Sequence, residues 1–254
     1  MSFKLKMEQV SRKAGSNIVL ALDLPLGKPK KLLFQAKKIL EAVHPHVCAV
    51  KFNHHLTLPL GLFGDLQDLL NQAKGFGLPT IMDCKINDIG STNQTIAEYY
   101  FEAGFDAVTA NPFVGWEDGL CPVFNKAKRM NRGVLLLVYM SHKGASEGYG
   151  QKIIGEEREK PQFQYRLFAE RALKWGAAGA VVGSTYPEKI KELNLVLKEK
   201  VPIYSPGIGI QGGNTEITIK NGATYLIVGR AITQAENPLR IAIELKRIAH
   251  KSAK

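Results

Sequence analysis

Residues 80–103, TIMDCKINDIGSTNQTIAEYYFEA, read as one strand followed by one helix. Thr80 to Lys85 is a short apolar run, Asp88 and Gly90 lie in a turn, and helical spacing runs from about Thr92 to Ala103. Alternate side chains of a strand share a face, so Asp83 and Lys85 project together at its C-terminal end, and Asp88 follows in the turn. Two carboxylates and an ammonium in one small volume make a strong fixed field, because charge interactions grow several-fold as the local dielectric falls. Such a field suits chemistry that develops charge on carbon. A single Asp-x-Lys reads more simply as a structural ion pair, so the surrounding chain has to decide.

The same unit recurs on both sides. Upstream, Asn17–Leu22 is a buried strand ending in Asp23, Leu32, Leu33, Ala36, Ile39, Leu40 and Val43 recur at helical spacing, and His46–Phe52 carries Lys51 near its end. Leu66, Leu69, Leu70 and Ala73 supply the next helix. Downstream, strands are expected at Phe105–Ala110, Gly133–Met140, Ala177–Gly183, Val201–Ser205 and Ala223–Val228. Helices are expected near Gly119–Asn131, Phe163–Trp175, Pro187–Lys198, Gln211–Asn221 and Pro238–Lys251. Short, continuously apolar strands alternating with helices indicate a parallel sheet covered on its outer face. At 254 residues without a linker, the economical arrangement is α/β, one (β/α)8 TIM barrel over residues 1–254.

Composition narrows the function classes. The net charge of +11 is spread over predicted helices and both termini, which reads as a solvated basic surface rather than a nucleic-acid interface. Positive potential also speeds the encounter with an anionic substrate. Met1–Ser16 is a charged lead-in without the apolar run of a secretion signal, and no stretch is long and apolar enough to span a membrane, so a cytoplasmic protein is expected. Cys48, Cys84 and Cys121 are far apart and have no zinc spacing. Adjacent His54 and His55 point apart and His142 has no evident carboxylate partner, so no metal site is expected. A Ser/His/Asp arrangement, a Walker loop and a dinucleotide fingerprint are all missing, which leaves the chemistry to Lys and Asp.

In a barrel of this kind the site lies where strands end. Asp23, Lys51, Asp83 with Lys85, Ser141, Ser184, Ser205 and Gly229 with Arg230 all fall there. SPGIGIQGG (205–213) and IVGRAI (227–232) follow the seventh and eighth strands, the usual phosphate position of the fold. Glycines let backbone N–H groups approach phosphate oxygens, and Arg230 can bind them bidentately. The connection at about 141–162 is longer than structureless loops usually are, which suits a lid that expels water from the ligand; its EEREK half reads as solvated.

These residues resemble the orotidine 5'-monophosphate decarboxylase family, in its shorter archaeal and bacterial form. The resemblance covers Asp23 to Arg230 and rests on Asp83-Cys84-Lys85-Ile86-Asn87-Asp88, an Asp-x-Lys-x-x-Asp signature. LALD (20–23), VKF (50–52), MSHKGA (140–145), GST (183–185), SPGIGIQGG and VGR support it in the same order. The resemblance implies decarboxylation of orotidine monophosphate to uridine monophosphate without metal or organic cofactor, the last step of de novo pyrimidine synthesis. It implies a charged array of Lys51, Asp83, Lys85 and Asp88, with Lys85 as proton donor and Asp83 beside the substrate carboxylate. Asp88 and Thr92 are implied to enter from the partner subunit of a homodimer. Asp23 and Thr92 would hold ribose hydroxyls, Ser141 and Ser184 the pyrimidine, Gln211 the region between base and phosphate, and Arg230 with the Gly229 backbone the phosphate. Cys84, Asn87 and Gly90 are spacers, and the lid is longer than in compact members.

Two other readings compete. Sister barrels share the signature but act on sugar phosphates as magnesium-dependent decarboxylases or aldolases, and carry an acidic residue where this chain has Lys51. A barrel that only binds phosphorylated ligands or RNA is the other; it leaves unexplained why four charged residues would be kept in one array at a cost in stability.

Overall fold

In the computed structural model of the chain, which describes residues 1–154 and 160–252, eight parallel strands close into one barrel. They are β1 (Ile18–Ala21), β2 (Ala49–Phe52), β3 (Thr80–Ile86), β4 (Ala107–Ala110), β5 (Gly133–Tyr139), β6 (Gly179–Val182), β7 (Ile203–Pro206) and β8 (Tyr225–Val228). Each pairs with its neighbours in sequence, and β8 returns to β1 with Ile18 opposite Leu226 and Leu20 opposite Val228. Most are buried along their whole length, because one face meets the helices while the other fills the barrel.

The helices are α1 (Phe3–Ala14), α2 (Pro29–Val43), α3 (His54–Leu60), α4 (Leu66–Gly75), α5 (Gly90–Glu102), α6 (Cys121–Arg129), α7 (Gln164–Lys174), α8 (Pro187–Leu197), α9 (Thr215–Lys220), α10 (Arg230–Thr233) and α11 (Pro238–Ser252). Their apolar stripes face the sheet, as with Leu32, Ala36, Leu40 and Val43 of α2. Inside the barrel, Val19, Ala21, Ile81, Ala107, Leu135, Leu137, Val181, Tyr204 and Ile227 form a second core. Gly179 makes room in it: a Cβ there would lie 2.4 Å from the Tyr204 ring and 2.6 Å from Leu135.

The N-terminal lead-in, expected to be no more than that, is a helix. Ser2 caps it, accepting from the Leu5 N–H, and Phe3 and Met7 are buried under the N-terminal mouth of the barrel. Gly133 permits this, since a Cβ would lie 2.5 Å from the Phe3 ring. Asp106 fastens the same end, meeting the Lys6 ammonium, the Arg132 guanidinium and the Thr80 N–H at 2.9 Å each.

Other differences cluster on the opposite face. An additional helix, α3, and a kink at Gly61–Asp65 precede α4. α9 starts at Thr215 rather than Gln211, because Asn214 caps it by accepting from Ile217 N–H at 3.0 Å. α10 follows β8 directly. The connection after β5 contains a helical turn, Ala145–Gly148, and a two-stranded antiparallel ribbon, Lys152–Ile153 with Gln162–Phe163. Residues 155–159, most of the expected EEREK segment of the lid, and residues 253–254 of the basic tail lie outside the described residues. Among the described residues no helix is long and apolar enough to cross a membrane.

Candidate active site

The C-terminal mouth of the barrel opens into a cavity of about 210 Å³ lined by Asp23, Lys51, Asp83, Lys85, Ser141, Gln211, Gly229 and Arg230. Eight of the eleven residues expected from sequence therefore meet in one place. At its centre Asp83 bridges two ammonium groups, with Oδ2 2.7 Å from Lys51 Nζ and Oδ1 2.7 Å from Lys85 Nζ. Lys51 is also 3.8 Å from Asp23 Oδ1, so the charges alternate along a chain of four groups.

Strand alternation accounts for only part of this. Lys85 has φ of 51°, and the pairing of β3 with β4 shifts register between Met82 and Ile86. A bulge re-aims a side chain at a strand end, and a left-handed lysine is strained unless its surroundings hold it. Thr109 of β4 does so. Its hydroxyl accepts from Lys85 N–H at 2.9 Å and donates to Asp83 Oδ1 at 3.0 Å. Cys84, between the two charged residues, faces away toward the outer core, and burial followed by the Asp83 charge pushes its thiol up to about 12.

Burial alone would raise the Asp83 carboxyl, but Lys51 and Lys85 outweigh it and hold it well below the usual carboxylate range. Burial alone would likewise lower the Lys51 ammonium, yet the Asp83 and Asp23 carboxylates keep it above an ordinary lysine. The Asp83 and Lys51 charges therefore both persist at neutral pH. The Lys51 side chain is 7% exposed and that of Lys85 is 40% exposed, so Lys51 fixes Asp83 from below while Lys85 reaches the open volume.

The other end of the cavity is built from glycine loops. Gly207, Gly209 and Gly212 all have positive φ, which turns the loop tightly above β7. At Gly229 a Cβ would lie 2.5 Å from Asp23 Oδ2, so glycine there lets the Asp23 carboxylate stand beside the Arg230 segment. Ser141 donates to Gln211 Oε1 at 3.1 Å and joins the two sides of the mouth.

Three expected residues lie elsewhere. Ser184 is buried, its hydroxyl donating to the Pro206 carbonyl at 2.8 Å beneath the glycine loop. Asp88 and Thr92 are exposed and do not line the cavity of their own chain. Asp88 nevertheless sits in a fixed turn, its N–H donating to the buried Asn93 side chain at 2.9 Å and its carboxylate accepting from Ile89 N–H at 2.7 Å. Two further polar residues, Thr109 and Asn53, line the cavity beside those expected from sequence. Asn53 donates to Asp23 Oδ1 at 2.6 Å while its carbonyl oxygen caps α3. Each is the polar group at or just past the end of an apolar strand, which was the available signal. Among the described residues no group of three or more His, Cys, Asp and Glu side chains is placed to hold a metal ion.

Fold and site together define a (β/α)8-barrel enzyme whose reacting centre is a lysine–aspartate chain beside glycine-rich anion loops. The profile of the orotidine 5'-phosphate decarboxylase / HUMPS family matches residues 16–245, and the chain belongs to that family. It is 34% identical over 228 residues to the orotidine 5'-phosphate decarboxylase of Methanosarcina mazei, covering 90% of this chain and 92% of that one. With the Pyrococcus abyssi enzyme of the same name it shares 36% over 212 residues, covering 83% and 91%. The crystal structure of the Methanocaldococcus jannaschii orotidine 5'-monophosphate decarboxylase, complexed with the inhibitor BMP, superposes with a TM-score of 0.77 at 30% identity, covering 92% of this chain and 98% of that one.

Proposed function

We propose that this chain removes CO2 from orotidine 5'-monophosphate to leave uridine 5'-monophosphate, using neither metal nor organic cofactor. The observation that carries the reading is the Lys51–Asp83–Lys85 chain with its two 2.7 Å contacts at the floor of the cavity. The bond from ring carbon C6 to the carboxylate breaks, its electron pair stays on C6, and CO2 departs. A proton from the Lys85 ammonium then goes to C6. That carbanion has little delocalisation, so a cation already in place must stabilise it as it forms. Asp83 holds the Lys85 ammonium in place through their 2.7 Å contact. Gly229, Arg230 and the 207–213 loop suit the phosphate, Ser141 and Gln211 the base, and Asp23 with Asn53 the ribose. The connection at 141–162 would close over the ligand, and phosphate binding, remote from C6, would supply the energy for closure.

The sister reading needs a divalent cation near the end of β2. Lys51 occupies that place, and its ammonium already engages both neighbouring carboxylates, so the donor set favours a nucleotide substrate over a magnesium-bound sugar phosphate. The deciding measurement is the ultraviolet change when orotidine 5'-monophosphate is added to purified protein in EDTA. Conversion to uridine 5'-monophosphate is the expected result. Inert folded protein that turns over a sugar phosphate once magnesium is restored would transfer the chain to the sister activity.

A homodimer completes the array in this reading, with Asp88 and Thr92 reaching the neighbour's cavity. Exposed Ile89 and Tyr99 flank these residues, Phe63 meets Tyr99 edge-on at 6.1 Å, and Thr92 and Tyr99, seven apart on α5, share a face. Such an apolar patch is characteristic of an interface. When Asp88→Ala and Lys85→Ala subunits are mixed, each hybrid dimer regains one intact site. About a quarter of wild-type activity should return after random exchange, as two-fold symmetry requires. Hybrids confirmed by mass that remain inactive would remove the shared site.

A further inference from the structure

A second concavity lies on the barrel's outer wall. Between α6, α7 and the start of α1 runs a groove of about 580 Å³, comparable to ligand sites of roughly 300–1,000 Å³. One wall is aromatic. Trp116 and Trp175 have ring centroids 5.1 Å apart, and Phe124 stands 5.3 Å from Trp116 and 6.2 Å from Trp175. The rest carries Lys4, Lys128 and Arg132 among small, apolar and amide side chains, with no carboxylate lining it among the described residues. Lys128 is exposed and makes no ion pair among the described residues. Arg132 gives one guanidinium N–H to Asp106, but its Nε is buried without a hydrogen-bond partner, an unusual state for a charged donor. The first turn of α1 also borders the groove, and N–H groups there carry partial positive charge.

Trp116, Phe124 and Trp175 stay only partly buried where they line the groove, and the Arg132 side chain beside them remains partly exposed although it pairs with Asp106. We propose that the groove is a second ligand site, separate from the catalytic cavity, for a small molecule that joins an aromatic ring to a phosphate, of the nucleoside monophosphate class. The base stacks on the Trp116–Trp175 wall, as bases do on aromatic platforms. The phosphate takes the exposed part of the Arg132 guanidinium, the Lys128 ammonium and the positive N-terminal end of α1. This site stands whether or not the decarboxylase reading does, because it shares no residue with the cavity at the strand ends.

Trp116 and Trp175 are the two tryptophans of the chain, so its indole emission reports on this groove. The test is a titration of the full-length protein with adenosine 5'-monophosphate, followed by tryptophan fluorescence. A saturable change is expected, weakened about tenfold or more by Lys128→Glu, which reverses one of the charges facing the phosphate. Turnover of orotidine 5'-monophosphate by that variant should equal wild type, and Arg230→Ala should leave the fluorescence titration unaltered. No saturable change at millimolar nucleotide would overturn the proposal. So would a change that Arg230→Ala removes and Lys128→Glu leaves intact, since that places the nucleotide in the catalytic cavity.

Discussion

Lys85→Ala should lower kcat by at least about four orders of magnitude while nucleotide binding stays measurable by calorimetry. The substitution removes two contributions together: a positioned proton donor, typically worth roughly 10²–10⁴-fold, and a preorganised cation facing developing charge, roughly 10²–10³-fold. Stability should change little. The Lys85 side chain is 40% exposed and Asp83 keeps its contact with Lys51. Substantial residual turnover would mean that the proton reaches C6 from another group, and the chain of charges would need a different reading.

Asp83→Ala should be the most destabilising single change in the site. It strands the Lys51 ammonium, whose side chain is 7% exposed, with Asp23 at 3.8 Å as its remaining counter-charge. Breaking a buried pair by removing one partner typically costs about 3–5 kcal/mol. Denaturant unfolding would measure it, and a loss well under about 1 kcal/mol would show that water reaches Lys51 freely. The same pair sets a pH window. Asp83 is held below its unfolded value near 3.9, so its stabilisation is complete above that pH and fades as pH falls through the depressed native value. Lys51 is held above its unfolded value near 10.4, so its stabilisation is complete below that pH and fades as pH rises through the native value. In Asp83→Ala both limbs should flatten.

The barrel was readable from sequence because each strand is buried on two faces and so appears as an unbroken apolar run. Tight turns and loop-to-helix junctions were less so. Asn214 and the positive-φ glycines delay α9, and neither effect alters hydrophobic spacing. α1 is faint in the sequence because Phe3, Met7 and Val10 lie among lysines and arginines, although their intervals of four and three are helical. The site was legible where a charged residue stood alone in an apolar context, as with Lys51 and Asp83. Thr109 and Asn53 carry no such signal, because an isolated hydroxyl or amide near a strand end is commonplace; only the geometry ties them to Asp83 and Asp23. No reading of alternation could supply the left-handed backbone at Lys85, which depends on the Thr109 hydroxyl of the next strand.

The pairing of β1 with β8 joins Ile18–Leu20 to Leu226–Val228, residues from opposite ends of the chain. During synthesis β1 therefore emerges first and waits longest for one of its two neighbours. Until Val228 has left the ribosome, the sheet is an open crescent with a bare edge at each end, the condition in which strands recruit foreign partners. α1 is made before any strand, and through Phe3 and the Lys6–Asp106 contact it can shield the floor of that crescent once β4 and β5 arrive. Barrel closure is thus a late, long-range event, and mutations along the β1–β8 seam should slow refolding more than equally buried changes between β3 and β4.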